Sequence, residues 1–218
     1  MAKYSRLHSY DPDNEAKILC KKGFAAYLER DISRAISLYN EALESKPEST
    51  TAHIALGTCY GDLGLNEKAI YHCKEAIRID PYDLVGNYNL GTVYSRIGEH
   101  EKAIWYLKKA VKIDPAFEEA YVTQGLSLIE MGKFKEGVKI LRQCIKVAPG
   151  YMDTYIHLAT AYFAANELEN AMDILQKAIK INPSCYEAHQ NLGILNDKLG
   201  FSEKAEEYYS MARKLKGE

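Results

Sequence analysis

The sequence predicts an all-α solenoid built from six helix-turn-helix repeats, and three observations predict it. Glycine recurs at Gly23, Gly57, Gly91 and Gly125, gives way to Ala159 and returns at Gly193, always 34 residues apart. Proline keeps the same interval at Pro47, Pro81, Pro115, Pro149 and Pro183. Small residues hold the register between them, at Ala35, Ala69, Ala103, Gly137, Ala171 and Ala205, then at Ala42, Ala76, Ala110, Cys144, Ala178 and Ala212. A period of this length marks stacked two-element units, each unable to bury its apolar face alone.

In chain order, residues 1–15 form a polar lead-in in which Asp13 or Asn14 is placed to cap the first helix. The repeats then run 16–49, 50–83, 84–117, 118–151, 152–185 and 186–218, as a single domain. The second repeat shows the unit most clearly. Its amphipathic segments, Thr51 to Leu63 and Asn66 to Ile79, are broken by a turn near Gly64 and closed by Asp80-Pro81. Two antiparallel helices approach closely only where side chains are small, which accounts for the glycine of the first helix and the alanines of the second. Larger residues such as Leu56, Tyr60 and Cys73 fill the space around that contact. Proline closes the unit because it lacks an amide proton and disfavours helical geometry in the residue before it. In the fourth repeat Gly137 stands in an alanine position. Glycine lowers helix propensity by up to about 1 kcal/mol, so this repeat is expected to be the softest. In the fifth, Asn166 takes the place of the turn glycine.

The ends differ from the middle. Repeats one to five place Ile36, Ile70, Ile104, Val138 and Met172, then Leu43, Ile77, Val111, Ile145 and Ile179, where a following repeat would pack; the sixth has Glu206 and Arg213. At the front, Lys22 and Glu29 occupy places that are mostly apolar later. Polar outer faces are expected of terminal repeats, so the array reads as capped at both ends rather than cut from something larger.

Composition narrows the function classes. Hydrophobic residues make up 47%, enough for a continuous core, and 28 basic against 30 acidic residues give a net charge of −2 without long like-charge runs. No nucleic-acid partner is therefore expected on charge grounds. The start of the chain lacks the apolar core of a secretory signal, and no run approaches a bilayer span, so no direct membrane insertion and a cytoplasmic location are expected. Five cysteines, an odd number with no CxxC pair, are expected to be free thiols.

Leu56-Gly57 with Tyr60, Ala69, Ala76 and Pro81 is similar to the consensus of the tetratricopeptide repeat (TPR) family, and the pattern extends over residues 16–218. Departures are mild: Lys22 and Ala26 replace the usual leucine and aromatic of the first repeat. The resemblance implies a right-handed superhelix whose first helices line a concave groove, and a non-catalytic adaptor or scaffold that binds a partner protein segment there. It also implies two alternatives: a self-assembling structural scaffold resembling the magnetosome-associated TPR protein, and a regulatory TPR subunit of a transferase or chaperone complex. The chaperone-binding carboxylate clamp of the family is absent, because its places hold Ile54, Thr58, Asn89, Glu119 and Thr123.

Transferring the family register puts Lys17, Lys21, Phe24, Tyr27, Ile54, Thr58 and Asp62 on the groove face of the first two repeats. The binding stretch is assigned to repeats three to five: Tyr88, Asn89, Thr92 and Arg96, then Val122, Thr123, Leu126 and Glu130, then Ile156, His157, Thr160 and Phe163, with Asn191 following. There, groups that can pair with a peptide backbone sit beside apolar anchors. For Ile54, Val122 and Ile156, packing within the solenoid is the competing reading. On the outer side of successive second helices, Tyr71 and Trp105 form a candidate convex patch for self-association. His53, Cys59, His72 and Cys73 read as core or surface filler rather than a metal site. No phosphate loop or nucleophile–base spacing is present, and neither catalytic residues nor a cofactor are expected.

Overall fold

The structure, a computed structural model, describes residues 11–217. They form twelve α-helices with no strand among them, in two compact units that divide between Ile97 and Gly98. The first unit holds α1 (Pro12–Leu28), α2 (Ile32–Ser45), α3 (Thr50–Asp62), α4 (Asn66–Ile79) and α5 (Leu84–Arg96). The second holds α6 (His100–Ile113), α7 (Glu118–Glu130), α8 (Phe134–Val147), α9 (Met152–Ala164), α10 (Leu168–Ile181), α11 (Tyr186–Lys198) and α12 (Ser202–Lys216).

Local chemistry explains where the helices begin and end. The first helix starts earlier than the sequence suggested: Asp11, not Asp13 or Asn14, is the N-cap, and its carboxylate accepts from the amides of Asp13 and Asn14 at 3.1 and 3.2 Å. Pro12 at the first helical position fixes this choice, since its ring pre-sets the helical φ and it has no amide proton to lose. Asp31, Ser49 and Asp83 cap α2, α3 and α5 in the same way. At the other end, Lys46, Asp80, Asp114, Ala148 and Asn182 precede the periodic prolines and are all pushed out of helical geometry.

The turn inside each repeat needs one residue with positive φ. It is Gly64, Gly98, Gly132 and Gly200 in four repeats, Asn166 (φ 59°) in the fifth and Arg30 (φ 64°) in the first. The prolines carry a second recurring device. Six residues after each one, a buried side chain hydrogen-bonds the prolyl carbonyl: His53 to Pro47 (3.2 Å), Asn87 to Pro81 (3.2 Å), Tyr121 to Pro115 (3.1 Å), Tyr155 to Pro149 (3.0 Å) and His189 to Pro183 (3.0 Å). Three residue types perform one task. Each satisfies a carbonyl that the proline break has removed from any helical ladder.

Each unit has its own core. Ala16, Cys20, Ala35, Tyr39, Ala42, Leu56 and Cys59 cluster in the first, and Leu141, Cys144, Tyr155, Leu158, Leu175 and Leu192 in the second. Gly57 lies against Cys73 and Gly125 against Leu141, so closely that a methyl group at either would meet that side chain at 2.5 or 2.8 Å. Gly137 is equally constrained: a methyl there would come 2.6 Å from the carbonyl oxygen of Gly125. Its glycine permits a closer helix approach, which offsets the propensity cost read from sequence. All five cysteines are free and buried, and burial pushes the thiols up, Cys73 to about 12 and Cys59 to about 11.

Candidate protein-binding face

In the first unit, hydrogen bonds tie the first helices together side by side. The Tyr27 hydroxyl on α1 donates to Asp62 on α3 at 2.6 Å, and this carboxylate pushes the phenol up to about 12. Asn89 on α5 donates through Nδ2 to the Thr58 hydroxyl at 2.8 Å, while Thr58 donates to the Ile54 carbonyl at 3.1 Å. The Arg96 guanidinium donates to the Gly61 carbonyl and lies 3.4 Å from the Asn66 amide oxygen. Adjacent first helices of this unit are thereby fixed in register by side-chain hydrogen bonds.

Between α1 and α3 this unit opens a cavity of about 920 Å³. Lys17, Ile18, Cys20, Lys21, Phe24 and Tyr27 contribute from α1, Tyr39 from α2, and Ile54, Ala55 and Thr58 from α3. A side wall is added by Lys46, Glu48 and Ser49. Phe24 is 56% exposed and Ile18 45%, a large apolar presence on one helix that core packing leaves uncovered.

The residues assigned from sequence to the binding stretch fall in both units. On α5, Tyr88, Asn89 and Thr92 are half-buried and Arg96 is exposed. Asn89 has already committed one of its two amide hydrogens to Thr58, and the Thr92 hydroxyl oxygen is buried with no hydrogen-bond partner. In the second unit Val122 is buried in the core, so its side chain shapes the face from beneath and offers no contact surface. Leu126, Ile156 and Phe163 pack partly against that core and stay half-buried, with the Lys198 ammonium 4.3 Å from the Phe163 ring. Thr123 donates to the Glu119 carbonyl (2.9 Å) and Thr160 to the Ile156 carbonyl (2.9 Å), so both hydroxyls keep only acceptor capacity for a ligand. Glu130 is exposed and lies 3.4 Å from His100. His157 and Asn191 are half-buried, and burial lowers the His157 imidazole below its ordinary value, opposed by nearby Asp153.

The convex candidates belong one to each unit. Tyr71 is 59% exposed and meets His72 edge-on at 5.0 Å; Trp105 is 53% exposed, with the Lys109 ammonium 3.7 Å above its ring and Tyr106 edge-on at 4.5 Å. His53 and His72 do converge, Nδ1 to Nδ1 at 3.0 Å, which the sequence did not foresee. The Pro47 carbonyl can only accept, so His53 carries its proton on Nε2 and its Nδ1 accepts the proton of His72 Nδ1. Among the described residues no group of three or more His, Cys, Asp or Glu gathers as a metal site.

Lys17, Lys21, Phe24 and Tyr27, which the register puts on the groove face but outside the binding stretch, line the cavity between α1 and α3. The stretch in repeats three to five rests on residue types, backbone-pairing groups beside apolar anchors. A cavity depends on how far two helices stand apart, which no single residue encodes. The available signal was the run of large residues facing outward on α1.

Tetratricopeptide repeat models match residues 21–83, 86–117 and 128–192. No curated protein matches. Among solved structures the chain is similar to MamA, at 27% identity over 78% of this chain and 93% of that one, with a TM-score of 0.62. It shares its fold with PilW, a widely conserved type IV pilus biogenesis factor, at 20% identity over 91% of this chain and 92% of that one, TM-score 0.80. It also shares it with YrrB, a TPR protein with an unusual peptide-binding site, at 17% identity over 83% and 93%, TM-score 0.58. Matched along most of its length and built of helix pairs at a 34-residue period, the chain belongs to the tetratricopeptide repeat family.

Proposed function

We propose that this protein is a non-catalytic, cytoplasmic adaptor that binds a segment of a partner protein on the face formed by its first helices. The observation that carries the reading is the 920 Å³ cavity between α1 and α3, walled by apolar side chains with polar groups at its edge. Sites that take extended side chains have this character, and a closed array of helices has no need of such a space. The five buried free thiols suit a reducing compartment. In the second unit the corresponding surface is α7, α9 and α11, with Leu126, Ile156 and Phe163 as apolar anchors beside His157, Thr160 and Asn191.

The test is titration of a partner captured from native lysate against the wild type, the double variant Asn89→Ala/Leu126→Ala and the double variant Tyr71→Ser/Trp105→Ser. The first variant removes one polar and one apolar group, which weakens binding by about 2 to 4 kcal/mol, on the order of 30- to 1000-fold. Helix content by circular dichroism stays unchanged. If only the Tyr71/Trp105 variant loses binding, the outer face is the functional one.

A further inference from the structure

We infer that the cavity between α1 and α3 takes an extended protein segment carrying carboxylates beside an apolar side chain; this rests on the reading of the first-helix face as the binding surface. Charge complementarity points to this ligand. Five charged side chains line the cavity: Asp13, Lys17, Lys21, Lys46 and Glu48. Lys46 is paired with Asp13 at 3.0 Å, and Glu48 turns away to Arg78 at 3.7 Å, an arginine it shares with Glu75 at 2.9 Å. Lys17 and Lys21 form no ion pair with any described residue. Two cations without an ion-pair partner among the described residues therefore stand four residues apart on one helix, so their ammonium groups share a face of the cavity rim.

The same stripe of α1 continues into Phe24, seven residues on from Lys17 and 56% exposed. Cation, cation and aromatic ring thus follow one another at successive helical turns over an apolar hollow. A single bound segment satisfies all three when an apolar side chain enters the hollow and a carboxylate stands one or two residues away. A purely apolar segment leaves both ammonium groups without a partner, and a basic one is repelled by them. Tyr27 is held in place by Asp62 at 2.6 Å, so one wall is already fixed before binding.

The probe is a displayed library of random twelve-residue peptides panned against the full chain, with individual enriched peptides then titrated by fluorescence anisotropy. Enriched sequences are expected to combine Asp or Glu with Leu, Ile, Phe or Met. Lys17→Glu/Lys21→Glu is expected to weaken them about tenfold or more, and Phe24→Ser by a similar factor. Affinity falls as salt rises. All three positions are exposed, and unchanged circular dichroism confirms that each variant folds. Enrichment of basic or charge-neutral sequences, salt-independent binding, or full binding by the charge variant overturns the inference, and so does a panning that enriches nothing. If enriched peptides lose binding only with Asn89→Ala/Leu126→Ala, the first-helix face stands and this cavity falls. If the wild type is a dimer that Lys17→Glu/Lys21→Glu converts to monomer, the occupant is a second copy and the inference is wrong.

Discussion

Arg30 does at positive φ what glycine does in four of the other repeats. A residue with a Cβ pays about 1 to 2 kcal/mol for this conformation, while glycine pays in unfolded-state entropy, about 0.4 to 1 kcal/mol. Arg30→Gly is therefore expected to stabilise the protein by about 0.5 kcal/mol. Asn166→Gly is expected to change little, because asparagine tolerates the left-handed region. Thermal melts of the two variants read the difference, and equal shifts refute the argument. The paired imidazoles of His53 and His72 give a pH dependence. Burial, then the neighbouring imidazole, lowers His72 to about 4, and burial lowers His53 as well. Above about pH 6.5 neither state takes up a proton here and stability is level. Between about 6.5 and 4 the unfolded chain binds protons that the folded one refuses, so stability falls with acid, fully so below 4. Urea midpoints at neutral and mildly acid pH measure the drop, which His72→Gln is expected to reduce; an unchanged drop removes the pair as its cause. His157 shifts in the same direction and leaves a residual slope.

Gly137 shows how far helix pairing could be read from sequence. The periodic small residues announced where helices meet, and they are buried there. Sequence alone valued Gly137 by its intrinsic propensity, by which alanine should be better. In the structure its Cα faces the carbonyl oxygen of Gly125 and the Ile129 side chain. Overpacking against backbone costs about 1 to 3 kcal/mol, more than the propensity gain of up to about 1. Gly137→Ala is expected to destabilise by about 1 to 2 kcal/mol, and a raised melting temperature would restore the propensity reading. The prolyl-carbonyl device was hidden for a related reason. His, Asn and Tyr share no class a pattern search would group, yet all three can present a donor at one place. Periodicity was legible because it depends on size and polarity; these partners depend on atom positions.

At the scale of the molecule, the family and its repeat register were legible in the sequence, since 34-residue periodicity is a property of the chain itself. The proposed binding surface was legible only as a face, through the register of the first helices, while the cavity emerged from the separation of α1 and α3. The outer face is where adaptor and self-assembling scaffold part. Tyr71 and Trp105 suggest association when seen as exposed aromatics. Their surroundings argue otherwise, because each ring already has partners within its own unit. Lys109 lies 3.7 Å over Trp105, a cation–π contact worth about 0.5 to 1 kcal/mol at an exposed site, and Tyr106 and His72 supply edge-on neighbours. A protein docking on Trp105 must displace the ammonium and desolvate it. Removing both rings by Tyr71→Ser/Trp105→Ser is therefore expected to leave the mass measured by light scattering unchanged, with the wild type itself a monomer at micromolar concentration. A wild-type oligomer that the double variant converts to monomer, at constant helix content, would instead make the outer face an assembly surface and the protein a self-assembling scaffold.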